Sequence, residues 1–335
     1  MHIRLVSMQI CLSQIAFLTI QILKMRCVLT KNQVRRFSRK DFFMTVTNPA
    51  LHLAADNVAA LDGASISPIK AAIGSHIAGY RFDGESVSDD FRTAMRDLLH
   101  NRGLVVFEPG TVTAENFTRF AGFLGEFFHY AGPHTPRAPE NQDATVISAG
   151  KDSHLRNHVW HADGGFREDA PAFTALFGKA TPKDGGDTMY SNTAHVYESL
   201  DPLFAKYLDS LQVIQSPDAT GHITDRYLDP EEAAQARLRM PPFEMPLVRT
   251  HPESGRKWIA VNESYVCYIK GVSRVHSQNI LGILFDAIKG PESSCRFEWT
   301  EGTMAVWDNR VVQHRAVKDY AGNAERLLYR CTMTA

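Results

Sequence analysis

A histidine and an aspartate two residues apart, His161 and Asp163, lie in the segment His158–Phe166, and both side chains can bind a metal ion. On an extended chain, side chains two residues apart point to the same side, so an imidazole nitrogen and a carboxylate oxygen can approach one ion. Gly164 and Gly165 follow and leave room beside that ion for a bulky ligand. With a second histidine from elsewhere, three coordination positions would stay open, as in non-haem iron(II) oxygenases.

The same spacing recurs at His251 and Glu253, so the pattern alone has little specificity in a chain with 14 histidines. Ser254 and Gly255 follow Glu253 and favour a turn between two strands. We therefore expect His251 and Glu253 to be structural. Two histidines and one aspartate can also hold zinc in a hydrolase, and spacing alone leaves that alternative open.

A second group of candidate residues lies near the C-terminus. The segment Trp307–His314 reads Trp-Asp-Asn-Arg-Val-Val-Gln-His, and Arg326 and Arg330 follow it. Together with the His161-x-Asp163 pair and the segment Gly185–Thr188, this region resembles the taurine dioxygenase / 2,4-dichlorophenoxyacetate dioxygenase family. The resemblance extends from about residue 66 to residue 334 and preserves the order and spacing of several motifs.

The resemblance implies a role for each matching residue. His161, Asp163 and His314 would be the ligands of iron(II), with 2-oxoglutarate and O2 as co-substrates. Thr188 and Arg326 would bind the far carboxylate of 2-oxoglutarate, and Arg330 would bind the acidic group of the substrate. Related halogenases carry a small residue in place of the aspartate, so the presence of Asp163 favours hydroxylation.

The two arginines also have a physical argument of their own. Arg326, Leu328 and Arg330 alternate, so they are predicted to lie on one face of a strand, with the two arginines about 13 Å apart at roughly 3.3 Å per residue. A buried guanidinium requires an anionic partner, because an unpaired buried charge is very unfavourable. A carboxylate can accept a bidentate pair of hydrogen bonds from such a group. The alternative is a pair of surface arginines on an edge strand.

Two further residues are candidates for substrate contact. His129 lies in the segment Phe127–His134, at the end of a helix predicted over 113–127, and this segment resembles the taurine enzyme poorly. Asn262 is predicted to donate or accept a hydrogen bond in the pocket. The alternatives are an ordinary surface or packed histidine at His129 and a turn residue at the end of a strand at Asn262.

Short apolar runs bounded by turn residues dominate the second half of the sequence and predict strands. Strands are predicted over 104–107, 145–148, 173–177, 187–191, 211–214, 245–250, 257–261, 304–307 and 327–331. Helical periodicity predicts helices over 88–101, 113–127, 194–208, 230–239 and 273–289. This pattern favours a mainly β fold with inserted helices and a double-stranded β-helix core (jelly roll, cupin-like), rather than a parallel α/β sheet.

Composition and charge narrow the class of protein. A hydrophobic fraction of 44% and a charged fraction of 22% are typical of a globular domain. The net charge is -1 with no clustered basic stretch in the domain, so we expect no nucleic-acid partner. The five cysteines form no CxxC pair, which favours small buried side chains in a reducing compartment, and we expect a cytoplasmic protein.

The first 43 residues differ from the rest of the chain. Leu5–Leu23 is apolar but too rich in polar residues for a membrane span, and 24–40 is basic without any acidic residue. We expect residues 1–43 to be an N-terminal extension that is spurious, disordered or a targeting segment. Residues 44–65 are predicted to be a linker and residues 66–335 a single dioxygenase domain. No membrane partner is expected, and the resemblance implies a homo-oligomer, a dimer or a tetramer.

These observations favour one function and leave alternatives. The first is a dioxygenase that hydroxylates a small anionic organic substrate and releases succinate and CO2. The substrate class is a sulfonate, a sulfate ester, an aryloxyalkanoate or a related carboxylate. The second is a hydroxylase of an amino acid or a natural-product intermediate. The third is a non-catalytic jelly-roll protein that binds metal, such as a sensor.

Overall fold

A computed structural model of the chain describes residues 63–129, 136–148, 157–220, 229–320 and 324–335. Within these ranges the chain forms fifteen strands and six helices. The strands are β1 (Ser65–Pro68), β2 (Ser75–Ala78), β3 (Leu104–Phe107), β4 (Thr145–Ser148), β5 (Phe173–Ala180), β6 (Thr188–Asn192), β7 (Gln212–Gln215), β8 (Phe243–Pro246), β9 (Val248–Thr250), β10 (Lys257–Ile259), β11 (Val266–Ile269), β12 (Ser294–Phe297), β13 (Met304–Asp308), β14 (Val312–Ala316) and β15 (Leu327–Met333). The helices are α1 (Asp89–Arg102), α2 (Phe117–Ala121), α3 (Thr193–Glu198), α4 (Pro202–Leu208), α5 (Pro230–Arg239) and α6 (Arg274–Lys289).

Two sheets, built mainly of antiparallel strands, form the frame of the domain. The larger sheet has seven strands in the order β1-β2-β3-β13-β5-β15-β4, and the smaller has three in the order β12-β6-β14. In the larger sheet, β2 and β3 are the one parallel pair among the described strands. Two small antiparallel sheets, β11-β7-β8 and β10-β9, complete the strands. This two-sheet arrangement confirms the predicted mainly β, jelly-roll class.

Side chains on the two faces of the larger sheet belong to two separate hydrophobic clusters. On β3, Val105 and Phe107 pack in a cluster with Phe91 and Met95 of α1. Leu104 of the same strand packs with Trp307 and Tyr190 on the opposite face. Because side chains alternate on a strand, one face of the sheet supports the helices and the other faces the smaller sheet. The functional candidates lie on that second side.

Helix α1 begins and ends where the sequence predicts. The Ser88 hydroxyl accepts a hydrogen bond from the backbone N–H of Phe91, which caps the helix at its start. Gly103 follows the last turn with φ +76°, a conformation that favours glycine, and its N–H donates to the carbonyl of Leu99. The close match reflects local signals that need no tertiary contact.

Other predicted elements differ from the structure. The helix predicted over 194–208 is two helices, because Pro202 begins a new helix. The helix predicted over 113–127 is limited to Phe117–Ala121, since Thr113 and Asn116 exchange hydrogen bonds in a turn before it. The strand predicted over 245–250 is divided between β8 and β9. Five strands, β1, β2, β11, β12 and β14, were not predicted.

Three cysteines lie in the described ranges. Cys295 and Cys331 are buried, as expected of small apolar side chains, whereas Cys267 is exposed and corrects that expectation. No helix among the described residues is both long enough and apolar enough to cross a membrane. The predicted extension over 1–43 and nearly all of the predicted linker lie outside the described residues.

Candidate metal centre

Two histidines, distant in sequence, face each other across a short backbone pairing. His314 lies on β14, and its N–H donates to the carbonyl of His161 at 2.8 Å. The N–H of His161 donates to the carbonyl of His314 at 3.1 Å, so the two residues form an antiparallel bridge. Their ring centroids are 4.3 Å apart. Strand pairing therefore sets the separation of the two imidazoles.

Asp163 completes the cluster. Its Oδ1 atom lies 3.9 Å from Nε2 of His161. One ligand atom from each of His161, Asp163 and His314 can be chosen so that all three atoms lie within 4.8 Å of one another. All three residues are buried, with at most 9% of their surface exposed. The structure thus brings together the three residues that the sequence predicts as ligands.

A chain of directed hydrogen bonds fixes the orientation of the Asp163 carboxylate. The indole N–H of Trp307 donates to Oδ1 of Asn309 at 2.8 Å, and Nδ2 of Asn309 donates to the Thr174 hydroxyl at 2.8 Å. The Thr174 hydroxyl in turn donates to Oδ2 of Asp163 at 2.9 Å. Oδ2 is held in this way, and Oδ1 lies on the side of His161 and Arg330. Trp307 and Asn309 thus act on Asp163 through Thr174, a residue that sequence reasoning missed.

His161 is held by a backbone carbonyl rather than by a carboxylate. Its Nδ1 lies 2.8 Å from the carbonyl oxygen of Val159. A carbonyl can only accept, so Nδ1 carries the proton and Nε2 presents its lone pair to the cluster. Such a partner on the far nitrogen is a common feature of metal-binding histidines. The Nδ1 atom of His314 is buried and has no hydrogen-bond partner among the described residues.

The protonation states suit a divalent cation. Burial lowers the pKa of His161, and burial together with the neighbouring His161 lowers the pKa of His314 to about 3. Burial alone would raise the pKa of Asp163, but the positive charge of Arg330 and the hydrogen bond from Thr174 act against it, and the pKa is lowered. Two neutral imidazoles and one carboxylate are the donor set of a non-haem iron(II) site with open positions. These residues therefore fit iron(II).

Arg326 and Thr188 meet at one end of the space between the sheets. Arg326 is only 3% exposed, its Nε donates to the carbonyl of Gly186 at 2.7 Å, and its Nη2 lies 3.5 Å from the Thr188 hydroxyl. Gly186 has φ +78°, and a Cβ there would lie 3.2 Å from Cδ of Arg326, so glycine provides room for the arginine. Within the described ranges, no carboxylate forms an ion pair with Arg326. A buried cation of this kind is suited to an anionic ligand.

Trp299, which sequence reasoning did not single out, determines what Thr188 can do. The indole N–H of Trp299 donates to the Thr188 oxygen at 2.9 Å, and Arg326 approaches the same oxygen. An indole nitrogen is only a donor, so the Thr188 oxygen accepts and its own proton points elsewhere. Thr188 is thereby set to donate to a bound anion. A single tryptophan without a motif gives no sequence signal for this role.

Arg330 lies beside the metal cluster. Its Nη1 is 3.5 Å from Oδ1 of Asp163, and its side chain is 21% exposed. Arg326 precedes β15, and the register shifts between Leu327 and Leu328, so the predicted alternation on one regular strand is only approximate. Leu328 still packs between the two sheets, and both arginines reach the site on that side.

The two candidates for substrate contact have other partners in the structure. His129 is 46% exposed, with Nδ1 3.2 Å from Arg137 and Nε2 3.5 Å from Asp143. Asn262 is buried, and its Oδ1 accepts hydrogen bonds from the backbone N–H groups of Ser264 and Tyr265. Asn262 therefore shapes a turn, which was the alternative role. Substrate contact by His129 or Asn262 stays a prediction.

The second histidine and carboxylate pair is structural, as expected. Nε2 of His251 lies 3.0 Å from Asp308, and Nδ1 accepts from the backbone N–H groups of Glu253 and Ser254. Arg310 donates to both Asp308 and Glu253. Both nitrogens of His251 are therefore occupied, and Arg310 already supplies the positive charge. Asp308 ends β13, so this network anchors the turn that leads to His314.

Two packed sheets that hold a cluster of two histidines and one carboxylate define a jelly-roll protein with a mononuclear metal centre. The chain belongs to the taurine catabolism dioxygenase TauD, TfdA family, whose family model matches residues 65–332.

Individual relatives agree with this placement. The chain is 28% identical to an alpha-ketoglutarate-dependent sulfate ester dioxygenase of Pseudomonas putida, over 80% of this chain and 88% of that protein. It is 27% identical to a putative alpha-ketoglutarate-dependent sulfonate dioxygenase of Schizosaccharomyces pombe, over 74% of this chain but only 64% of that protein. It superimposes on the crystal structure of a putative alpha-ketoglutarate-dependent taurine dioxygenase from Burkholderia xenovorans with a TM-score of 0.67. That pair is 27% identical, over 81% of this chain and 92% of the other.

Proposed function

We propose that this chain is an iron(II)- and 2-oxoglutarate-dependent dioxygenase that hydroxylates a small anionic organic substrate. One observation carries the proposal. A cluster of two neutral histidines and a carboxylate, His161, Asp163 and His314, lies close to a cationic Arg330 and shares the space between the sheets with buried Arg326. A zinc hydrolase has no need for two arginines at such a site, whereas a reaction with two anionic reactants does.

In the proposed reaction, bound iron(II) supplies the oxidation chemistry: 2-oxoglutarate is decarboxylated to succinate and CO2, and one oxygen atom of O2 enters the succinate and the other the substrate. His161, Asp163 and His314 hold the metal, and Thr174 fixes the aspartate by its hydrogen bond. The remaining work of the chain is to bind and orient the reactants.

The two arginines divide the anions between them. Arg326, with Thr188 beside it, binds the far carboxylate of 2-oxoglutarate by charge-assisted hydrogen bonds. Arg330, next to Asp163, binds the anionic group of the substrate and so directs the adjacent carbon towards the metal. Hydroxylation of the carbon that carries a sulfonate or sulfate group gives an unstable product, which breaks down to an aldehyde and sulfite or sulfate. The names of the relatives support sulfonates and sulfate esters as the first classes to test.

We also propose where the enzyme acts and how the chain is divided. A cytoplasmic location is proposed because the described cysteines are unpaired, and a homo-oligomer is proposed by analogy with the family. An extension over 1–43, a linker over 44–65 and a catalytic domain over 66–335 are proposed from the sequence and from the extent of the family match, residues 65–332. Strands β1 and β15, near the two ends of that domain, belong to one sheet.

A substrate panel tests the proposal. Purified protein with iron(II), ascorbate, 2-oxoglutarate and O2 is incubated with alkyl sulfonates, alkyl sulfate esters, aryloxyacetates and amino acids. Succinate, and sulfite or sulfate where relevant, are then measured. At least one anion is expected to raise succinate formation above the substrate-free rate, and Asp163→Ala is expected to abolish it. Stimulation by neutral-chain amino acids alone would favour the second predicted function. No 2-oxoglutarate-dependent O2 consumption under any condition would contradict the proposal.

A further inference from the structure

A buried tyrosine, Tyr190, lies between the metal cluster and the predicted 2-oxoglutarate site. It is on β6, two residues from Thr188, so the two side chains share one face of the strand. Directly opposite Tyr190 in the register is His314 on β14. The tyrosine ring stacks against the His314 ring at a centroid distance of 6.1 Å and meets the Trp307 ring edge-on at 5.3 Å. Tyr190 therefore borders both groups of functional side chains.

The hydroxyl of Tyr190 has no hydrogen-bond partner of acceptable geometry among the described residues, and the residue is 0% exposed. A buried hydroxyl without a partner lowers stability, so phenylalanine would suit an apolar position better. Tyr329 in the larger sheet provides a contrast, because its hydroxyl donates to Glu140 at 2.7 Å. The unpaired hydroxyl at Tyr190 therefore points to a partner that is present only when the site is loaded.

The surroundings of Tyr190 indicate that the missing partner is an anion. A tyrosine hydroxyl keeps its proton at neutral pH, because its ordinary pKa is about 10, so Tyr190 can donate a hydrogen bond. Thr188 lies two residues away on the same strand face, and Arg326 approaches the Thr188 hydroxyl to 3.5 Å. Tyr190 therefore lies beside the two groups that are predicted to bind a carboxylate.

We propose that the Tyr190 hydroxyl donates a hydrogen bond to the far carboxylate of 2-oxoglutarate, as a third donor beside Arg326 and Thr188. This inference rests on the proposed function and adds a residue to it. A carboxylate has about four acceptor positions, so three donors can be accommodated. Arg326 already uses its Nε on Gly186, which limits what it offers the ligand to its terminal nitrogens. A third donor would strengthen the preference for a dicarboxylic over a monocarboxylic oxo acid.

The test is Tyr190→Phe, with Tyr329→Phe as the matched control that makes the same chemical change at a tyrosine with a partner. The first measurement is thermal unfolding of the metal-free protein. Tyr190→Phe is expected to leave the melting temperature unchanged or raise it, whereas Tyr329→Phe is expected to lower it. An equal decrease in both variants would mean that the Tyr190 hydroxyl has a structural partner in the free protein, and it would overturn the inference.

The second measurement is calorimetric binding of two oxo acids to manganese(II)-loaded protein without O2. For 2-oxoglutarate, Tyr190→Phe is expected to raise the Kd about tenfold, as for loss of one hydrogen bond to a charged group. For 2-oxovalerate, which has a methyl group in place of the far carboxylate, the Kd is expected to stay the same. Tyr329→Phe is expected to change neither value.

The outcomes separate this inference from the proposed function. If the unmodified protein binds 2-oxoglutarate and Tyr190→Phe binds it equally well, the inference about Tyr190 is wrong and the proposed function stands. An equal loss for both oxo acids would also contradict it, because the contact would not involve the far carboxylate. If the unmodified, metal-loaded protein binds no 2-oxoglutarate, the proposed function itself fails.

Discussion

Replacement of Arg330 by glutamine separates the two anion sites most clearly. Arg330→Gln removes the cation whose Nη1 lies 3.5 Å from Oδ1 of Asp163, but it retains much of the side chain that packs there. Under the proposed function, the variant loses the group that binds the substrate anion. The 2-oxoglutarate site at Arg326 and Thr188 is untouched. The metal ligands are also retained, and a positive charge beside them is removed.

The magnitude follows from the lost contact. A hydrogen bond to a charged group contributes about 1.5–3 kcal/mol, so loss of one such bond lowers kcat/KM for the anionic substrate by about 10- to 150-fold. The Kd for 2-oxoglutarate is expected to change by less than about threefold, since the altered residue makes no contact with that site. Metal affinity is not expected to fall, because the removed group repels a metal cation.

The assay combines steady-state succinate formation with anaerobic titration of 2-oxoglutarate into metal-loaded protein. Arg326→Gln is the matched variant, with the opposite expected result: weaker 2-oxoglutarate binding and, at saturating 2-oxoglutarate, a smaller effect on the substrate. If Arg330→Gln lost 2-oxoglutarate binding and kept its substrate KM, the roles of the two arginines would have to be exchanged. Loss of metal by Arg330→Gln would refute the electrostatic argument.

Two further variants test the supporting network. Asp308→Asn is expected to lower the free energy of unfolding by about 3–5 kcal/mol, because it breaks a buried network with His251 and Arg310. The control is Asp209→Asn, which breaks a half-exposed ion pair with Lys257 and is expected to lower the free energy of unfolding by less than about 1 kcal/mol. Burial would raise the pKa of Asp308, but hydrogen bonds from His251 and Arg310 outweigh burial and lower it. The folded state therefore gains stability from Asp308 at pH values above the ordinary aspartate pKa, and it loses this stability as the pH falls through the lowered pKa of the folded state. Chemical denaturation at acid and at neutral pH measures both the loss in each variant and its pH dependence. An equal loss of unfolding free energy in Asp308→Asn and Asp209→Asn would contradict the role of the buried network. Trp299→Phe is expected to raise the Kd for 2-oxoglutarate about 2- to 10-fold by releasing the Thr188 hydroxyl, and an unchanged Kd in calorimetry would show that this contact has no role.

The three candidate ligands could be singled out in the sequence mainly through the longer segment Trp307–His314, which carries the family resemblance. The spacing of His161 and Asp163 alone was not sufficient, because His251 and Glu253 have the same spacing. The strand that carries His314 was not predicted, since Gln313 and His314 are buried polar residues that interrupt the apolar pattern of β14. Functional residues commonly break the pattern of the element that holds them.

The supporting contacts were beyond sequence reasoning for a different reason. Thr174 and Asn309 meet across the pairing of distant strands, and Trp299 reaches Thr188 from the segment after β12. None of these pairs has a characteristic spacing, so only the fold shows them. The same holds for the network at Asp308, where sequence analysis found the histidine but not its partner.

The central claim is that His161, Asp163 and His314 bind iron(II) in a form that accepts 2-oxoglutarate. Anaerobic titration of iron(II) and then 2-oxoglutarate into the metal-free protein, followed by visible absorption, tests it most directly. We predict one iron per chain and a weak charge-transfer band that saturates with 2-oxoglutarate and is absent in Asp163→Ala. Stoichiometric iron binding with no band at any concentration of 2-oxoglutarate, or an undiminished band in Asp163→Ala, would contradict the account.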